Sequence, residues 1–151
     1  RRQRQMCIRD SNRPLSKRGY KAAKIMGRYI KKIDQIPDKV ISSSATRAKD
    51  TAGIAIRHGK WSSKLSIESN IYGGSSETLL DIIHHLDKKT KSVCLVGHEP
   101  TCSSFISLCT FHSQRFTTAS MAKINFRTDK WNKIEFGKGN LEWIKSPKEI
   151  I

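Results

Sequence analysis

The chain has 151 residues, enough for one domain with a real hydrophobic core. It carries 29 Lys+Arg against 13 Asp+Glu, a net charge of +16, and 36% of it is hydrophobic. No run approaches the roughly 18 apolar residues of a spanning helix, which excludes a membrane protein, and recurrent apolar segments with turns between them exclude wholesale disorder.

The chain opens with Arg1-Arg2-Gln3-Arg4-Gln5 and no apolar stretch behind it, so a cytoplasmic protein without a signal peptide is expected. Ser16 is placed to cap a first helix on which Ala22, Met26, Ile30 and Ile33 recur at helical spacing. Lys21, Lys24, Arg28, Lys31 and Lys32 fall on its other side. Pro37-Asp38 ends this unit, and Lys39 to Ser42 reads as a short buried strand. A helix follows at once, with Ser44 as the predicted N-cap and Gly59 as the stop. Leu65 to Glu68 alternates like an edge strand. Gly73 to Ser76 is a loop before a helix carrying Leu79, Leu80, Ile83 and Leu86.

Ser92 to Val96 is a compact apolar strand that stops at Gly97-His98-Glu99-Pro100, and a helix is predicted over Thr101–Leu108 with Pro100 at its start. Three strands are predicted in the last forty residues, at Met121–Phe126, Trp131–Phe136 and Asn140–Ile144. Strands alternating with helices predict a three-layer α/β/α fold with a mainly parallel sheet. The four cysteines, Cys7, Cys94, Cys102 and Cys109, form no C-x-x-C pair and are expected as reduced core thiols.

Two strand ends carry candidate chemistry, because ligands of open α/β sheets bind beyond the carboxyl ends of strands. Arg47 lies in the first turn of a helix directly after such an end. A cation there opposes the helix dipole, whereas a bound anion reverses the sign and is met by dipole, N–H groups and guanidinium together. His98 occupies the equivalent place after the next apolar strand, where an imidazole can donate to a phosphoryl oxygen or exchange protons near neutrality. Glu77 opens a helix and is a candidate acid, although dipole placement alone explains it. His84 and His85 are adjacent on a helix, face different ways and make a poor metal pair.

These segments resemble a known family. Asp10-Ser11-Asn12-Arg13-Pro14-Leu15-Ser16-Lys17-Arg18-Gly19 is similar to the D-x-x-R-P-L-[ST]-x-x-G element of the SixA-type phosphohistidine phosphatases. Ser42-Ser43-Ser44-Ala45-Thr46-Arg47-Ala48-Lys49-Asp50-Thr51-Ala52 resembles their S-S-P-x-x-R-A-x-x-T-A turn, and Val96-Gly97-His98-Glu99-Pro100 resembles their V-G-H-x-P. These are compact members of the histidine phosphatase superfamily, with the phosphoglycerate mutase-like fold. The resemblance runs from about residue 10 to the end.

The resemblance implies hydrolysis of phosphohistidine or another phosphomonoester through a covalent phosphohistidine, without metal or organic cofactor. It makes Arg47 a phosphate clamp and His98 the second histidine of the site, with a phosphorylated protein or small phosphomonoester as partner. Membrane and specific nucleic-acid partners are not expected.

The family's nucleophile lies in an R-H-[GA] tripeptide that ends a first, central strand upstream of the D-x-x-R-P-L element. This chain has no such strand and no histidine before His58. Residues 1–9 are therefore expected to be a non-native segment ahead of a histidine phosphatase-like domain at 10–151, truncated, catalytically inactive and of reduced stability. Arg57-His58-Gly59 spells the tripeptide but ends a helix downstream of Arg47, where such residues are ordinary. The alternatives are a basic nucleic-acid-binding module or a non-catalytic phosphoprotein-binding one. Residues 1–10 hold four Arg and one Asp, so a net +13 remains without them.

Overall fold

The computed structural model describes residues 13–113 and 116–150. Residues 1–9, with Cys7, and the Asp10–Asn12 part of the first motif lie outside them. Helix α1 (Lys17–Lys32) forms where its spacing predicts: the Ser16 side chain accepts from the Gly19 N–H at 3.0 Å, and Ala22, Met26 and Ile30 are buried on one face. Strand β1 (Lys39–Ser43) is buried along nearly its whole length.

Helix α2 (Thr46–Gly59) follows it directly, with Ala45 rather than Ser44 at the N-cap and no side-chain cap bond. The nearest serine hydroxyl that bonds the backbone here belongs to Ser43, two residues before the N-cap, which accepts from the Ala45 N–H at 3.2 Å. At the other end the left-handed cap is Lys60 (φ 54°), not Gly59. Gly59 is small for a different reason: a Cβ there would strike the Gly27 carbonyl of α1 and the Trp61 ring nitrogen.

Strand β2 (Lys64–Glu68) and strand β3 (Val93–Val96) flank β1 in a three-stranded parallel sheet of order β2-β1-β3. Helix α3 (Ser76–His84) starts at a Ser75/Thr78 capping box and ends before Leu86, which packs from the following loop. Helix α4 (Thr101–Thr110) is capped by Pro100, which precedes rather than begins it.

Strands β4 (Met121–Phe126) and β5 (Gly139–Lys145) form a separate antiparallel pair. The strand predicted at Trp131–Phe136 is absent: residues 131–133 form a single 3₁₀ turn. Its side chains are used elsewhere. Trp131 Nε1 donates to the Thr90 carbonyl at 2.8 Å, His84 Nε2 donates to the Ile134 carbonyl at 2.7 Å, and Phe136 stacks edge-to-face on Phe105. A short helix α5 (Pro147–Ile150) closes the described residues.

Alternation along β1 explains the layers. Ile41 enters a cluster with Ile71, Leu79, Ile83 and Phe105, under α3 and α4; Val40 enters a second with Ile30, Ala52, Ala55 and Trp61, under α1 and α2. Strand β3 divides in the same way, with Val93 and Leu95 on the first cluster and Cys94 and Val96 on the second. So does β4, with Ile124 and Phe126 against Met121. The two sheets thus share both cores, yet no ladder joins β3 to β4 among the described residues. All four β3 residues are only half-buried, in contrast with β1. No described helix is long and apolar enough to cross a membrane.

Candidate active site

β1 and β3 pair in parallel with Ser42 opposite Val96, so they finish side by side and deliver the next residues of each chain segment to one place. β1 ends on Ser43 and leads into the first turn of α2 with Arg47; after β3 come Gly97, His98 and the start of α4. The close approach at Gly97 is real: a Cβ would sit 3.2 Å from Ile71 Cγ2 and 3.4 Å from Cys102 Sγ. Thr101 Oγ1 donates to the Gly74 carbonyl at 3.3 Å, which ties the loop before α3 to the start of α4.

His98 is half-buried, and its Nε2 lies 2.8 Å from the fully buried Ser43 Oγ. That hydroxyl already accepts from Ala45 N–H, which leaves its own proton free to donate to a neutral imidazole. The edge-to-face ring of Tyr72, at 5.2 Å between centroids, walls the other flank. Burial first, and then the Arg47 charge, hold the His98 pKa below its ordinary value near 6.5. Arg47 Nε is itself buried and has no hydrogen-bond acceptor among the described residues. An orphaned buried donor is uncommon in native proteins and calls for an explanation. A cation, a neutral imidazole, a hydroxyl and two helix N-termini together suit a tetrahedral dianion.

Arg47 and His98 therefore come together. Glu77 is exposed on the first turn of α3, with no hydrogen bond or ion pair to either of them among the described residues. Glu99 turns away to cap α4, accepting from Ser103 N–H at 2.9 Å and from the Ser103 hydroxyl. His58 bonds the Tyr20 hydroxyl at 3.1 Å, eleven residues of helix (about 16 Å) from Arg47. His84 and His85 serve separate carbonyls, of Ile134 and Asp81. The three described thiols stay protonated: burial pushes Cys94 up to about 12, Cys102 to about 11 and Cys109 to about 12. None supplies a thiolate nucleophile near neutral pH.

Two further cavities, of about 250 and 310 Å³, are lined by neither Arg47 nor His98. Ser43 and Tyr72 are site residues that sequence reasoning missed. The signal for Ser43 was present in the serine run before the turn; Tyr72 reaches His98 only through the tertiary fold.

Residues 1–71 match the family model described as "Histidine phosphatase superfamily (branch 1)". Over that stretch, 71 of the 151 residues, the chain is similar to the histidine phosphatase superfamily. It is 30% identical over 97 residues to an uncharacterized protein of Mycobacterium tuberculosis found in two strains, an alignment covering 64% of this chain and 59% of that protein. The chain therefore spans less than two thirds of that relative. It is 23% identical over 151 aligned positions to an uncharacterized protein of Mycobacterium leprae, covering 93% of this chain and 91% of the relative. The fold is that of SixA from Nakamurella multipartitia, with a TM-score of 0.83 at 20% identity over 93% of this chain and 88% of that one. A protein histidine phosphatase SixA complexed with tungstate gives a TM-score of 0.80 at 21% identity, covering 94% and 89%.

A pH prediction follows from the geometry. His98 is held neutral when free, and a bound dianion favours its protonated form, so binding takes up a proton between the free and bound pKa values. Sulfate does not itself titrate between pH 5 and 8. Its affinity is expected to rise as pH falls from the bound to the free His98 pKa, by at most about tenfold per unit, and to be flat outside those two values. Calorimetric titrations of sulfate at several pH values check this; affinity that is flat, or that falls with acid, contradicts it.

Proposed function

We propose that Ser43, Arg47 and His98 form the phosphoryl receptor of a phosphatase that acts on phosphohistidine proteins or related phosphomonoesters. The reaction passes through a covalent phosphohistidine. In such a transfer a histidine nitrogen attacks phosphorus, the leaving nitrogen or oxygen takes a proton, and water then cleaves the phosphohistidine. The transition state spreads negative charge over the equatorial oxygens, so the protein's main task is to hold and neutralise them. Arg47 offers a planar fork for two of these oxygens. His98, whose Nε2 accepts from Ser43, carries its ring proton on Nδ1 and adds a positive charge once protonated, and Ser43 fixes its ring. Glu77 takes the part of general acid in this reading.

The observation that carries it is the buried Arg47 donor without an acceptor, beside an imidazole kept neutral. A SixA of the same fold was solved with tungstate, a tetrahedral oxyanion of the class this receptor suits.

The attacking histidine is not among the described residues of the cluster. The sequence has five histidines, His58, His84, His85, His98 and His112, and His98 alone stands in the site. The 151-residue polypeptide is accordingly proposed to bind the anion without turning it over. Calorimetry with tungstate and phosphate release from a phosphohistidine peptide test both halves. Saturable tungstate binding without phosphate release is expected. Release that disappears in His98→Ala overturns the inactivity, and no tungstate binding overturns the receptor.

A further inference from the structure

The outer face of α1 is built from one kind of chemistry. Lys17, Lys21, Lys24, Arg28 and Lys31 recur at alternating steps of four and three residues, the spacing of a single straight stripe along a helix. Four of them are exposed and Lys24 is half-buried. The stripe is about 21 Å long, at 1.5 Å of rise per residue. Helix α1 contains no Asp, Glu, Asn, Gln, Ser or Thr, and the His85–Asp81 and Lys123–Glu142 ion pairs lie elsewhere.

The charge is reinforced from the side. His58, at the end of α2, is bonded to the exposed Tyr20. Partial desolvation and then Lys24, Arg57 and Arg28 all disfavour its protonated form, which places these three cations around one ring. Like charges gathered without counter-charges repel one another and contribute nothing to folding. They are readily understood if an external polyanion meets them.

Protein partners generally avoid such a surface. Lysine is depleted in protein–protein interfaces, which centre on apolar and aromatic anchors, and this stripe has no apolar centre. Phosphate backbones select lysine and arginine point charges at repeated spacing and need no base-reading side chains. The total charge of +16 adds long-range attraction of the same sign.

We propose that the solvent face of α1 binds a nucleic-acid backbone, with five cations in a row engaging successive phosphates and no selection among bases. This site is separate from the Arg47–His98 receptor and does not depend on the phosphatase reading.

Fluorescence anisotropy of the full chain with a labelled mixed-sequence 20-nucleotide single-stranded DNA tests it. Five contacts predict a slope of about −3.5 for log K against log salt, or roughly a 100-fold loss between 50 and 200 mM. Changing Lys17→Gln, Lys21→Gln, Lys24→Gln and Arg28→Gln together is expected to reduce the slope to about −0.7. A control with the same change of net charge, Lys88→Gln, Lys91→Gln, Lys130→Gln and Lys133→Gln, keeps the steep slope. All eight positions except Lys24 are exposed, and thermal melts confirm that both variants fold. No binding at 50 mM salt overturns the proposal, and so does an equal loss in the control, which assigns binding to overall charge. Polyglutamate of matched charge that binds as tightly as the DNA, with the same dependence on the stripe, assigns the face to acidic proteins and also overturns it.

Discussion

Arg47→Ala is expected to weaken tungstate binding by at least about 100-fold without lowering the melting temperature. Each charge-assisted hydrogen bond contributes about 1.5–3 kcal/mol, and the guanidinium fork makes two in the proposed receptor. The folded protein without anion gains nothing equivalent from this side chain. Its Nε is buried without an acceptor, and its charge sits in the first turn of α2 against the positive end of the dipole. That placement costs about 0.3–1 kcal/mol, so removing it is neutral or raises Tm by about 1–3 °C. A structural arginine behaves oppositely, because its loss lowers Tm. Arg47→Lys keeps the charge and loses the fork, and an intermediate loss of about tenfold is expected. Calorimetry with tungstate and thermal melts of the same samples read both effects. Tungstate affinity unchanged within twofold in Arg47→Ala rejects the receptor.

The residues that make this argument were legible in the sequence for a local reason. A strand followed directly by a helix start forces the intervening side chains to the sheet's carboxyl end, and Arg47 and His98 both stand at such junctions. What local pattern did not carry is the partner of each group. The Ser43–His98 bond spans 55 positions, and the Tyr72–His98 contact joins a loop to a strand end. The same limit explains the misread segment at 131–136. Its apolar residues Trp131, Ile134 and Phe136 suit a strand by composition. Their fate is set by Thr90, His84 and Phe105, which lie 26 or more positions away in the chain. Ser44 was likewise a sound capping residue in sequence. Ser43, turned inward by the pleat of β1, holds the Ala45 amide in its place and reaches His98 with the same oxygen.

Helix α2 must be seated firmly for Arg47 to aim at the β3 end, and its seat on α1 is unusually close. A Cβ on Gly27 would lie 2.5 Å from the Ala55 carbonyl oxygen and 2.7 Å from the Ala55 Cα, both backbone atoms that no rotamer change can move. The Gly27 carbonyl also accepts from Trp61 Nε1 at 3.0 Å. Gly27→Ala therefore pushes the helices apart and strains a buried hydrogen bond. Alanine gains about 1 kcal/mol of helix propensity, but overpacking costs about 1–3 kcal/mol and the lost bond about 1 more. The clash with fixed backbone decides the sign, and a net loss of about 2 kcal/mol is expected, a fall of about 4–8 °C in Tm. Gly53, on the same helix α2, has nothing within 4 Å of an added Cβ. There the propensity gain stands alone, and Gly53→Ala should raise Tm by about 2–4 °C. Melts of the two variants beside the parent chain separate steric seating from propensity. A Gly27→Ala protein that melts at or above the parent temperature removes the close helix approach as the support of Arg47.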